Sequence, residues 1–147
     1  MEEWTESGVT WLTLPADVSS LQRFAEFVRE GALAAGLAAS EMGKLDLVVE
    51  EIVVNVARYA YPKGRPGTAD VGWAVTAPGR LAVRVCDRGC AYNPLDGVPP
   101  GFEGELADRP VGGLGIFLVQ SLADSASYTR EGDRNVLSFR FQAGLQA

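Results

Sequence analysis

Residues 41–62 read EMGKLDLVVEEIVVNVARYAYP, and the fold turns on what this stretch is. Leu45, Val48, Val49, Ile52, Val53 and Val56 recur at i, i+3, i+4 spacing, which is the buried stripe of an amphipathic helix. Ser40 and Glu41 can open that helix, and Pro62 stops it near Tyr61. At about 100° per residue, Glu50 falls nearly opposite the stripe and faces solvent. Glu51 and Asn55 are an i,i+4 pair along one flank, at the rim of the core, with Arg58 near the same line.

On the N-terminal side, VTWLTL at 9–14 alternates apolar and β-branched residues up to Pro15 and reads as a strand. Asp17 or Ser19 can cap a first helix, where Leu21, Phe24, Ala25 and Val28 keep helical spacing; Gly31 and Gly36 weaken its end. On the C-terminal side, KGRPGT at 63–68 is turn chemistry. Strand-like runs follow at 69–76 and 81–87, joined at Ala77-Pro78-Gly79. From Arg88 to Val111 no period is sustained, and six glycines or prolines fall between Gly97 and Pro110. A loop of that length in a compact domain is a functional lid or a linker. GGLGIFLVQSLAD at 112–124 then reads as a helix opened by glycines, and strand runs at 125–130 and 135–141 meet at Glu131-Gly132-Asp133. The order β-α-α-β-β-loop-α-β-β predicts an α/β two-layer sandwich, with helices on one face of a mixed, mostly antiparallel sheet. No internal repeat or linker divides it, so residues 1–147 are read as one domain with a lid at about 88–111.

Composition narrows the function classes. The 147 residues are 47% hydrophobic and 22% charged, which suits an ordinary core. The net charge is −6, and the thirteen Lys and Arg residues are scattered, so no basic stripe is present to bind nucleic acid. No apolar run reaches membrane-span length, and the acidic start MEEWTESGVTW lacks signal-peptide order; a cytoplasmic protein with no membrane contact is expected. The chain has no histidine, which removes His-based triads and makes zinc binding by Cys86 and Cys90 improbable. Both cysteines are expected as buried or half-buried free thiols.

Three segments carry chemistry. An amide such as Asn55 is a hard oxygen ligand suited to Mg²⁺, and a carboxylate one turn away, Glu51, can orient or deprotonate a hydroxyl. A solvated helix face would show the same pair. Asp87 ends an apolar strand in LAVRVCDRGCAYNP, where it can accept from an exocyclic amine, and Gly89 would let a flat ring approach the backbone. A plain strand exit uses the same residues. Gly112, Gly113 and Gly115 can converge backbone N–H groups on an anion at a helix start, although close helix packing explains them equally well. The spacing is neither a Walker pattern nor G-x-G-x-x-G after a strand.

In combination the segments say more. E-x-x-x-N on a helix, D-x-G at a strand end, a long loop and G-G-L-G opening a helix resemble, in that order, the N-box, G1 box and G2 box of the GHKL ATPase family. The resemblance runs from about residue 11 to 141. EEIVVNVARYAYP, DRGCAYNP and GGLGIFLVQSLAD look like the corresponding segments of the bacterial anti-sigma-factor serine kinases.

That resemblance implies ATP and Mg²⁺ as cofactors. It implies Asn55 as the magnesium ligand, Glu51 as general base, and Asp87 as acceptor for the adenine amine with Gly89 giving the ring space. Gly113 and Gly115 would donate to the phosphates, and Arg58 and Arg109 would add positive charge. Arg109 sits about two residues from where the kinases carry their lid arginine. Asn135 falls where relatives often carry a threonine that helps hold adenine. Tyr59 stands where relatives often have histidine, and Tyr92 replaces the usual phenylalanine. The implied function is a protein serine kinase and anti-sigma factor acting on an anti-anti-sigma-type protein. A sigma factor is the second implied partner, and a homodimer the implied assembly. The alternative is a nucleotide-binding, partner-binding module with little or no transfer. A sensor histidine kinase's ATP-binding part, or a topoisomerase or chaperone ATPase, fits less well, for want of dimerisation helices or a transducer domain.

Overall fold

The computed structural model describes residues 8–96 and 119–142. The long amphipathic segment forms helix α2, Ala39–Tyr59, preceded by strand β1 (Thr10–Pro15) and helix α1 (Leu21–Ala35). Helix α2 buries Leu45, Val48, Val49, Ile52, Val53, Val56 and Tyr59, the predicted stripe extended by one turn. Each fully buried aliphatic side chain contributes about 1.5–3 kcal/mol, so this stripe, and not capping, holds the helix: no side chain caps its N-terminus at Ala38. Glu41 in its first turn and Arg58 in its last complement the helix dipole. It closes slightly before Tyr61 because the residue preceding a proline is pushed out of the helical region.

Helix α1 ends on Gly36, whose φ of 81° is left-handed and whose N–H reaches the carbonyls of Ala32 and Leu33. Gly31, read from sequence as a weak point, is instead a contact: a Cβ there would lie 2.6 Å from Cδ2 of Trp73, so the missing side chain lets α1 settle onto the sheet.

The sheet comprises β1, β2 (Thr68–Ala77), β3 (Arg80–Asp87), β4 (Ser125–Glu131) and β5 (Arg134–Gln142). Their order across the sheet is β1-β2-β3-β5-β4, and all four pairings are antiparallel. The β2–β3 hairpin turns through Gly79 (φ 77°) and the β4–β5 hairpin through Gly132 (φ 63°). Alternate residues Val71, Leu81, Val83, Val85, Leu137, Phe139 and Phe141 face the helices and join Phe24, Val28, Leu45, Val48 and Val49 in one core. The result is the two-layer α/β sandwich, with helices on one side of an antiparallel sheet. Among the described residues no helix is long and apolar enough to cross a membrane.

Strand order brings two distant strand ends together. After β3 the chain leaves the sheet and returns at the far edge as β4. The hairpin then inserts β5 beside β3. Asp87, the last residue of β3, thereby stands directly opposite Asn135 near the start of β5.

Candidate functional site

At the end of β3 the Asp87 side chain is only 6% exposed, an unusual place for a carboxylate. The chain turns at once, and the Gly89 N–H donates to Asp87 Oδ1 at 2.8 Å. Burial raises the Asp87 pKa above its ordinary value, while hydrogen bonds from Asn135 and Gly89 and the charge of Arg130 pull it back down. Gly89 is required by the fold itself: a Cβ there would sit 2.0 Å from the carbonyl oxygen of Ala60. That oxygen accepts the Cys90 N–H at 2.8 Å, tying the turn to the end of α2.

Asn135, 4% exposed, lies beside Asp87. Its Nδ2 donates to Asp87 Oδ1 at 2.9 Å and to the Cys90 carbonyl at 2.8 Å. Its Oδ1 accepts from the Tyr128 hydroxyl at 2.6 Å, from Arg130 at 3.2 Å and from the Tyr92 N–H at 3.4 Å.

Above this pair opens a small, partly open cavity. Ile52, Asn55 and Val56 of α2 form one wall, Val85 and Leu137 the floor, and Tyr92, Leu95 and Tyr128 lie around it; Asp87 and Asn135 are its polar end. Apolar walls with a few convergent polar groups suit a flat, partly polar ligand. Tyr92 closes one side, its ring edge-on to Tyr59 at 6.3 Å and its hydroxyl donating to the Asn55 carbonyl at 3.5 Å. Both bonds that Asp87 accepts fall on Oδ1, so among the described residues Oδ2 has no partner. A base amine presented from the cavity therefore fits Asp87. Asn55 borders the same cavity, and its side chain has no hydrogen-bond partner among the described residues. No cluster of three or more acidic, cysteine or histidine side chains occurs among them. A magnesium ion at Asn55 would take the rest of its shell from phosphate oxygens and water, which is the ordinary preference of that ion.

The remaining expected residues lie at varying distances from this cavity. Glu50 is exposed and Glu51 half-buried, in agreement with the helix register. Burial and the neighbouring Glu50 raise the Glu51 pKa, and Arg58 opposes them. Glu51 lies one turn from Asn55 but does not line the cavity. Arg58 is separated from it as well, bordering a different groove with Asp17, Tyr61 and Lys63. Arg109, Gly113 and Gly115 lie outside the described residues; of the helix expected at 112–124, residues 119–122 are described as helical and bring Val119 to the cavity. Cys86 is a buried free thiol, as expected, pushed up to about 11 chiefly by burial; Cys90 is exposed, contrary to the expectation for it. Cys90 stands just past the turn that carries Gly89 out of the sheet, where the strand no longer covers it.

Sequence reasoning missed Tyr128 and Arg130. Alternation along β4 places both on the cavity side, and the hairpin pairs Tyr128 with Leu137 and Arg130 with Asn135. The turn at Gly132 held that information, but only once the register was counted back from it.

Known proteins bear on this geometry. The profile of a histidine kinase-like ATPase domain matches residues 14–141. The serine/threonine-protein kinase BtrW of Bordetella bronchiseptica is 27% identical over 94 residues, covering 64% of this chain and 66% of that protein. The structure of the RsbU and RsbW domains of Rv1364c from Mycobacterium tuberculosis superposes with a TM-score of 0.59 at 15% identity, over 91% of this chain and 32% of that one. The histidine kinase domain of a blue-light activated histidine kinase from Erythrobacter litoralis superposes with a TM-score of 0.54 at 20% identity, over 90% of this chain and 63% of that one. The chain thus spans less than two thirds of each of these three proteins.

Proposed function

The chain belongs to the histidine kinase-like ATPase domain family, and from that premise we propose that it is an ATP-dependent protein serine kinase that also acts as an anti-sigma factor. The observation that carries the proposal is the cavity whose buried end is the unpaired oxygen of Asp87 and whose wall is the helix bearing Asn55 and Glu51. Asp87 accepts the adenine amine, and Ile52, Val56, Val85 and Leu137 enclose the ring. Asn55 holds Mg²⁺, which when bound neutralises charge on the phosphates. Glu51 takes the proton from the attacking serine hydroxyl, a role suited by a carboxylate whose pKa burial raises. Gly113 and Gly115 donate to the phosphates, and Arg109 supplies positive charge near them, whereas Arg58, on its separate groove, acts on the site through its charge near Glu51.

The substrate in this reading is a small anti-anti-sigma-type protein, and the second partner is a sigma factor. The name of BtrW, a serine/threonine-protein kinase, and the RsbW domain of the mycobacterial structure support it. A phosphoserine adds close to two negative charges, enough to drive exchange of partners at an interface. A homodimer and a cytoplasmic location belong to the same proposal.

Titration calorimetry with ATP, with and without Mg²⁺, followed by phosphotransfer to an anti-anti-sigma-type protein, tests this. Magnesium-dependent binding, lost in Asn55→Ala, is expected, with transfer lost in Glu51→Ala and retained in Glu50→Ala. ATP binding without transfer to any such protein would sink the kinase reading and leave a nucleotide-gated partner-binding module. Absence of ATP binding would sink both.

A further inference from the structure

The polar end of the cavity is held by more than the pair that touches it. Asn135 has one defined orientation, because its two amide ends face partners of opposite character. Asp87 Oδ1 and the Cys90 carbonyl can only accept, so Nδ2 must face them. On the other end, Tyr128 can donate or accept, and the Tyr92 N–H is distant at 3.4 Å. Arg130 is different: its guanidinium only donates and stays charged at any physiological pH. It donates to Asn135 Oδ1 at 3.2 Å, to the Gly89 carbonyl at 2.9 Å and to the Gly132 carbonyl at 3.1 Å. One side chain from edge strand β4 thus ties the turn after Asp87, the amide beside Asp87 and its own hairpin.

We propose that Arg130 is a positioning residue of the nucleotide site which, through Asn135, locks Asp87 Oδ1 and leaves Oδ2 as the Asp87 oxygen presented to the base. This rests on the nucleotide reading above and extends it to specificity. Asp87 Oδ1 takes two donors, from Gly89 and Asn135, and so cannot turn toward the cavity without breaking both. Oδ2 is not sealed off: among the described residues the buried side-chain polar atom without a partner is Trp73 Nε1. A fixed, ionised Oδ2 accepts from a 6-amino purine and repels a 6-oxo purine, which presents an acceptor at the same place. Without Arg130 the amide of Asn135 loses its charged donor among the described residues, and its hold on Asp87 Oδ1 loosens. Asp87 also loses the positive charge that helps keep it ionised in a buried position, and a protonated Asp87 could donate to a 6-oxo group. Asn135 accordingly serves adenine through Asp87, because both of its own N–H groups are already used.

The experiment compares ATP and ITP binding to the full chain, by calorimetry, for wild type, Arg130→Met, Arg130→Lys and Tyr128→Phe. Wild type is expected to prefer ATP. Arg130→Met should weaken ATP about tenfold, the scale of one charge-assisted hydrogen bond, with little change for ITP, so the preference collapses. Arg130→Lys should recover part of it, since it keeps a donor-only cation, and Tyr128→Phe should reduce it less. A parallel fall of ATP and ITP, with the ratio unchanged, would overturn the proposal in favour of a structural or phosphate-charge role; unchanged affinities would overturn it too. Wild type binding neither nucleotide would bring down the site itself, an outcome distinct from both.

Discussion

Asp87 shows how a single residue can be costly to the fold and useful to the site. A carboxylate at 6% exposure is stabilised in its charged form by two donors on one oxygen and by a nearby guanidinium, yet burial dominates and its pKa is raised. A raised acid binds its proton more tightly in the folded state, so its ionisation removes stability as pH rises from the ordinary 3.8 through the higher folded value. Asp87→Asn keeps an acceptor for Gly89 and Asn135 but turns a donor toward the cavity. It should fold at least as stably as wild type at neutral pH. It should also lose less stability than wild type as pH rises above about 3.8, in urea titrations at stepped pH. Its ATP affinity should fall about a hundredfold, from the lost charged acceptor and the opposed donors. A variant that bound ATP normally would remove adenine from Asp87.

At the scale of an element, α2 carries two jobs on two faces. The stripe from Leu45 to Val56 holds the helix on the sheet, and its flank presents Glu51 and Asn55. Glu51 is half-buried, with Glu50 raising and Arg58 lowering its pKa. If Glu51 is the base, phosphotransfer at saturating ATP should fall as pH drops through a value above the ordinary 4.5 of glutamate. Glu50→Gln removes the like charge and should shift that limb to lower pH, and Arg58→Met should shift it upward. A limb that ignores both substitutions would assign the titration to another group. The far end of the helix has its own constraint at Gly89. Gly89→Ala would drive a methyl group into the Ala60 carbonyl, so it should cost stability and ATP binding together, unlike Asp87→Asn. Thermal melting of the apo variants separates the two.

The molecule as a whole is a sheet whose inner face is core along most of its length and cavity at one end. Phe139 and Phe141, edge-to-face at 6.0 Å and almost fully buried, anchor the end away from Asp87. Phe139→Ala should cost about 3–5 kcal/mol by cavity formation, measured by denaturant unfolding, with ATP affinity of the folded fraction preserved. Because a ligand that binds only the folded state stabilises it by mass action, ATP at a hundred times its dissociation constant should add about 2.7 kcal/mol. At the same ATP concentration that increment should shrink to about 0.4 kcal/mol in Asp87→Asn, and a melting temperature indifferent to ATP in the wild type would contradict a nucleotide site.

What the sequence determined by itself is what periodicity can encode. The 3.6-residue recurrence from Leu45 to Val56 set the register of α2, and with it the exposure of Glu50 and the half-burial of Glu51. The period-2 runs and their glycine turns located the five strands, and the E-x-x-x-N, D-x-G and G-G-L-G order pointed to the family. Tertiary structure alone decided which distant residues meet. Strand β5 inserts beside β3, and that pairing, made across 48 residues of chain, sets Asn135 against Asp87. It also brings Arg130 over the amide, while the packing of the end of α2 leaves Arg58 on a separate groove and makes Gly89 necessary for the approach of the Ala60 carbonyl. The physical reason is that helical and strand periods are local properties. Strand order is different: it is settled by which faces can be buried together once the whole chain has closed.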